Sequence, residues 1–157
     1  MSSKHTTILT AIQTAIRALD LTDISDANVV IAMLPTADKL IKAQLITLPA
    51  IIISPMGIEE INGQFKGNNV ADDYGWPTTI AIVEKADSQD LIDDLDKYLT
   101  WRETLFETFH NQHLSGIVGD IVTQARPGSI MELNAWVENH LFVSGITLRT
   151  YTREVVR

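Results

Sequence analysis

The sequence predicts an α+β fold: a single domain whose largely antiparallel sheet carries one long helix and an N-terminal helix packed on one face. Three observations carry this expectation. Apolar residues recur at helical spacing near the N-terminus and again over a long central stretch. Runs of alternating β-branched residues lie between and after those stretches, in the order helix, strand, strand, loop, strand, long helix, strand, strand. The chain has 157 residues, a length at which one domain buries roughly 70% of its unfolded surface. No internal repeat, low-complexity segment or linker divides residues 1–157.

Each element has its own signal. Ile8, Leu9, Ile12, Ala15, Ile16 and Leu19 fall on one face of a helix over 7–20, with Thr6 or Thr7 as its cap. Asn28 to Leu34, with Val29, Val30 and Ile31, reads as a short strand stopped by Pro35. Thr36 to Ile46 holds good helix formers and predicts one or two turns, with a strand as the alternative. The β-branched run from Leu48 ends at the turn signature Ser54-Pro55-Met56-Gly57. Clustered turn signals then follow, Asn62-Gly63, Lys66-Gly67-Asn68-Asn69 and Asp72-Asp73-Tyr74-Gly75, and predict a long polar loop or irregular hairpin over about 57–74.

Trp76 to Lys85 alternates as a strand should, with Ile80 and Ile82 on one side and Ala81 and Val83 on the other. Asp87-Ser88 caps the expected long helix, 89–112. Leu91, Leu95, Tyr98, Leu99, Leu105, Phe106 and Phe109 form its apolar stripe. A connection containing Gly116 and Gly119 leads to Arg126-Pro127-Gly128. A C-terminal β-hairpin is expected over about 129–154, its strands Ile130–Glu138 and Leu141–Arg153 joined at Asn139-His140. A long terminal strand of this kind is a potential sheet edge, open to self-pairing in an oligomer.

Composition removes several function classes. There is no cysteine, which excludes a disulfide framework, a thiolate zinc site, an iron–sulfur cluster and a cysteine nucleophile. The formal net charge is −8, which argues against a protein that tracks nucleic-acid phosphates with Lys and Arg. That charge is local. Residues 59–83 carry −3 and residues 84–107 carry −5, while the flanking segments balance. The start of the chain lacks a signal-type apolar run, and the apolar runs are far short of the ~20 residues a membrane span needs.

The motifs of enzyme chemistry are missing as well. The sequence holds no G-x-S-x-G elbow, P-loop or H-E-x-x-H. His110 and His113 have a spacing that suits a shared metal, although cations at a helix C-terminus are also favoured by the helix dipole. Asp72-Asp73 beside Tyr74 form a paired-carboxylate motif with no evident base or nucleophile to serve. The expectation is a non-enzyme without cofactor or metal. Arg102 stands apart, because it lies near the centre of the long helix's apolar stripe, where a charge has to be paired or reach an interface. It is the candidate for a buried or subunit-interface ion pair.

The layout resembles the tail terminator, or head–tail joining, proteins of long-tailed bacteriophages. The segments that carry the resemblance are Leu48-Pro49-Ala50-Ile51-Ile52-Ile53-Ser54-Pro55-Met56-Gly57, Asp73-Tyr74-Gly75-Trp76-Pro77, Leu95-Asp96-Lys97-Tyr98-Leu99-Thr100-Trp101-Arg102-Glu103 and Phe109-His110-Asn111-Gln112. They are similar to uncharacterised phage and prophage proteins of this size. The resemblance implies a homohexameric ring in the virion, assembled in the host cytoplasm. Such a ring caps the tail tube, contacts tail tube and neck proteins, and lets DNA pass through its centre without specific binding. An acidic lumen suits that passage, because it lets a polyanion slide. The candidates to line it or to contact partners are Asp72 and Asp73 in the loop and Asp93 and Asp96 on the acidic side of the helix. Two other readings stay open: a neck or head-completion adaptor docking on the portal, and a small soluble ligand-binding or regulatory domain.

Overall fold

The computed structural model describes residues 3–33, 38–63, 71–85 and 92–155. Helix α1, Lys4–Arg17, buries Ile8, Leu9, Ile12 and Ile16. Its cap is Ser3, whose hydroxyl accepts from the Thr6 N–H at 3.1 Å, so the helix begins one turn before the Thr6/Thr7 boundary expected. Strands β1 (Val29–Ile31) and β2 (Ala50–Ser54) run parallel, and the short helix α2 (Asp38–Lys42) lies in the crossover between them. The remaining elements are β3 (Glu60–Gly63), β4 (Ala71–Lys85), α3 (Ile92–Phe109), β5 (Asp120–Pro127), α4 (Leu133–Asn139) and β6 (Leu141–Val155).

The sheet order is β1-β2-β4-β6-β5, with β3 also paired to β4. Apart from the β1–β2 pair, every described pairing is antiparallel. The fold is therefore α+β. Its spine is the β4–β6 ladder, which pairs without a break from Ala71↔Val155 to Lys85↔Leu141. Fifteen residues per strand make a ribbon roughly 50 Å long. β6 covers one edge of β4, so β2 and β3 share the other, β2 against 79–83 and β3 against 72–75. Pro77 falls in the gap between them. Its carbonyl accepts a hydrogen bond from His5 Nε2 at 2.8 Å instead of joining a ladder, so the missing proline N–H deprives no neighbouring strand.

Both faces of the sheet are covered, unequally. On one face α1 and α3 close the main core, with Ile8, Ile12, Trp101, Leu105 and Phe109 packed on Ile51, Ile53, Ile80, Ile82, Phe142 and Ile146. On the other, α2 and the following turn cover one end, where Leu40, Ile41 and Ile46 meet Ile52, Ala81 and Val83. The expected packing of the N-terminal and long helices on one face is what the structure has.

Four expectations are corrected. Over 57–74 the polar loop gives way to the hairpin alternative, because Glu60–Gly63 pairs antiparallel with Asp72–Gly75; the central part, 64–70, lies outside the described residues, as does the Asp87-Ser88 cap. The hairpin over 129–154 does not form. Residues 133–139 are helix α4, and β6 pairs with β5, a strand that falls in the stretch read as a glycine-rich connection. The C-terminal strand is not an edge, since it lies between β4 and β5. The buried stripe of α3 runs through Tyr98, Trp101, Arg102, Leu105 and Phe109, while Leu95 is exposed.

Candidate functional site

Arg102 is buried, with 9% of its surface exposed. It is held by a cage of neutral acceptors. One terminal nitrogen donates to Ser144 Oγ and the Gly145 carbonyl, both at 2.7 Å, and to the Ser129 carbonyl at 3.3 Å. The other donates to the Gly128 carbonyl at 2.9 Å. Among the described residues no carboxylate pairs with it, and the partners they supply are all neutral. Burial lowers the guanidinium pKa from its ordinary value. The cage has a structural consequence. Where β5 ends, residues 128–132 continue along β6 as a strap, with Gly145 N–H donating to the Ser129 carbonyl and Glu132 N–H to the Val143 carbonyl, both at 2.9 Å. Arg102 pins the root of that strap from beneath, and α4 hangs from its end.

The two acidic pairs named from sequence fall in different places. Tyr98 donates its hydroxyl to the Lys85 carbonyl, so the N-terminal half of α3 sits over the end of β4. Asp72 and Asp73 lie near the opposite end of that strand, about 40 Å away along the ribbon. Being consecutive on a strand, they also point to opposite faces. Asp73 takes a two-pronged contact from Arg153, Nε to Oδ1 at 2.8 Å and Nη2 to Oδ2 at 3.1 Å. That hydrogen bond holds its carboxyl below the ordinary 3.8. Asp72 stands opposite Glu154, which pairs with Lys4 at 3.1 Å. They form no carboxylate dyad. Asp93 lies on α3 with its side chain outside the description. Asp96 is exposed, and with Glu103 and Glu107 it makes an acidic stripe on the outer side of α3, without an ion pair among the described residues.

The histidines do not converge. His110 Nδ1 contacts the Ala125 carbonyl at 3.1 Å and its ring stacks on Phe106, whereas His113 Nδ1 contacts Asp120 Oδ2 at 2.9 Å. Among the described residues no three His, Asp or Glu side chains are grouped to hold a metal ion. No described helix is long and apolar enough to cross a membrane.

Sequence reasoning missed Glu84. It follows Ile80 and Ile82 on the core face of β4, and that alternation was the signal available. Its Oε1 accepts from Lys85 N–H at 2.6 Å. Burial pushes its carboxyl above the ordinary 4.5, outweighing the Lys85 hydrogen bond and the charge of Lys97, which pull down, while Asp23 and Asp94 add to the rise. It borders a cleft of about 940 Å³ whose walls include Gln44, Thr47, Lys97 and Tyr98. A second groove, about 630 Å³, runs between α1 and the end of α3 and is lined mainly by threonine, alanine and small loop residues. The groove beside α1 lacks the convergent charged groups that mark a small-molecule site, whereas the cleft beside Glu84 also has Asp94 and Lys97 on its walls.

The surface is more telling than the clefts. Large apolar side chains are exposed in three groups, Ile31, Met33 and Leu45 at the end of β1 and after α2, Met56, Ile58 and Ile61 around β3, and Ile130, Met131, Leu133 and Val137 on the strap and α4, with Leu95 and Val118 exposed singly. Clustered exposure of this kind marks contact surfaces for other proteins. The chain matches no known family model, and no curated protein matches it closely.

Proposed function

We propose that this chain is a structural assembly subunit: a phage tail-terminator-like protein that forms a ring, caps the tail tube and joins it to the neck, with DNA passing through the centre. The observation that carries this reading is the trio of exposed apolar patches on one small domain. A subunit fixed between copies of itself and one or more other proteins needs several such surfaces, and a monomeric ligand-binding domain needs none of them.

Within it, α3 is the better candidate to face DNA. Asp96, Glu103 and Glu107 present exposed charge along one helix that no described residue pairs with, whereas Asp73 is bound by Arg153. Repulsion from such a stripe keeps a passing polyanion from sticking. The reading is tested by adding the purified chain to isolated tail tubes and, separately, to portal rings. Caps seen on tube ends by electron microscopy support it. Binding to portal and not to tubes makes the protein a neck adaptor instead, and binding to neither rejects both roles.

A further inference from the structure

We infer that the β1 edge of one copy of this chain docks against the strap and α4 of the next, head to tail. This rests on the assembly reading and names the surfaces that serve it. The two patches lie at opposite ends of one row across the sheet: Ile31 pairs with Ile53, Ile53 with Ile80, Ile80 with Ile146, and Ile146 with Pro127, where the strap begins. Beyond Ile31, Met33 is 87% exposed; beyond Pro127, Leu133 and Val137 are 63% and 65% exposed. One apolar surface calls for a foreign partner. Two at opposite edges of the same sheet allow each copy to satisfy its neighbour.

Charge selects this pairing over the alternatives. The β1 side adds exposed Lys42 on α2 and exposed Arg17, which donates to the Val29 carbonyl of β1, and Leu40 and Ile41 of α2 pack with Val30 and Ala32 of β1. The α4 side adds exposed Glu132 and Glu138. Asp26 before β1 and Arg126 before the strap are the minority charges on the two sides, again opposite in sign. Head-to-tail contact therefore sets basic against acidic on both counts. A two-fold contact of α4 with α4 would bring Glu132 and Glu138 of each copy together and leave the β1 patch uncovered.

Both surfaces are held before contact, which lowers the ordering cost of association. β1 is fixed by β2 and by Gln13 and Arg17, which donate to the Val29 carbonyl at 2.8 and 3.0 Å. The strap is fixed by Arg102 and by its bonds to β6. A head-to-tail interface closes into a ring or runs on as a filament, and it leaves Met56, Ile58 and Ile61 free for a different protein.

The test uses two full-length variants, Met33→Glu and Val137→Glu, at positions exposed enough that folding, checked by circular dichroism, should persist. The wild-type chain self-associates, each variant alone sediments as a monomer, and an equimolar mixture forms heterodimers and nothing larger, because each variant keeps one intact half. Variants that assemble like the wild type overturn the assigned surfaces while leaving the assembly reading standing. Loss of association in Val137→Glu but not in Met33→Glu, with no rescue on mixing, means a two-fold α4 contact and overturns the inference. A wild-type chain that stays monomeric overturns the inference and the reading beneath it together.

Discussion

Replacing Arg102 by Met removes the charge while keeping most of the side chain's apolar length, so it isolates what the guanidinium does. Two effects oppose each other. Among the described residues the buried charge has no carboxylate partner, and losing its desolvation penalty favours the variant. Against that stand four hydrogen bonds to a charged donor. Three of the acceptors keep other options: the Gly145 carbonyl still accepts from Gly128 N–H at 3.1 Å, the Ser129 carbonyl from Gly145 N–H, and Ser144 Oγ still donates to the Ser129 carbonyl at 3.4 Å. The Gly128 carbonyl loses its donor, although Gly128 itself is exposed enough for water to help.

The loss thus amounts to about one hydrogen bond to a charged group, ~1.5–3 kcal/mol, reduced by the relieved burial. The expected net destabilisation is about 1–2 kcal/mol. For a chain of this length each kcal/mol lowers Tm by roughly 2–4 °C, so thermal unfolding should shift down by roughly 2–8 °C. Amide exchange gives the specific readout: protection at Gly145 and Glu132, whose N–H groups hold the strap, should fall before protection in β4. Arg102→Ala should cost about 2 kcal/mol more, because it also empties the space of the stem. An Arg102→Met variant as stable as the wild type, with strap protection unchanged, would falsify the role given to the cage.

Further outcomes follow from other positions. Glu84→Gln should raise stability at neutral pH, because the folded state penalises the ionised carboxyl. The group's folded pKa is raised, so the penalty is full above that pKa and fades as pH falls through it toward the ordinary 4.5; urea midpoints of variant and wild type should therefore converge in acid, and a constant gap would refute burial as the cause. Gly119→Ala should destabilise more than Gly116→Ala. Both have positive φ, +76° and +80°, but a Cβ at 119 would meet the Arg153 carbonyl oxygen at 2.6 Å and one at 116 meets nothing within 4 Å; equal losses of about 1 kcal/mol would mean backbone strain alone decides. Asp73→Asn should lower stability by its full amount above the ordinary 3.8, with the loss fading as pH falls from there through the lowered folded pKa, since Arg153 favours the ionised form. High salt should shrink that difference, and a salt-independent effect would point to something other than the charge pair.

The fold class could be read from the chain because its signals are local. The 3.6-residue spacing of Ile8, Ile12 and Ile16 and the alternation through Ile80 and Ile82 name a helix and a strand without knowledge of partners. Strand order could not be read that way. β5, Asp120–Pro127, is signalled only by the short run Ile121 to Ala125 and its pairing with β6 lies across α4, while Leu133 to Val137 carries β-prone residues in what becomes two turns of helix. The long terminal strand looked like an edge because chain order says nothing about which strand ends up between two others. Arg102 was legible as a charge in an apolar stripe. Its partners were not, because three are backbone carbonyls, 26 to 43 residues further along the chain. Asp72 and Asp73 misled for a simpler reason: adjacency suggests a pair in a loop, and a strand sends neighbours to opposite faces.

The claim at the centre is that this chain works by assembling. Light scattering coupled to size-exclusion chromatography on the untagged wild-type chain, over a wide range of concentration, tests that claim most directly. The account predicts a species heavier than one chain that grows with concentration and resolves into a ring or its head-to-tail fragments. A single monomeric mass at every concentration would contradict it.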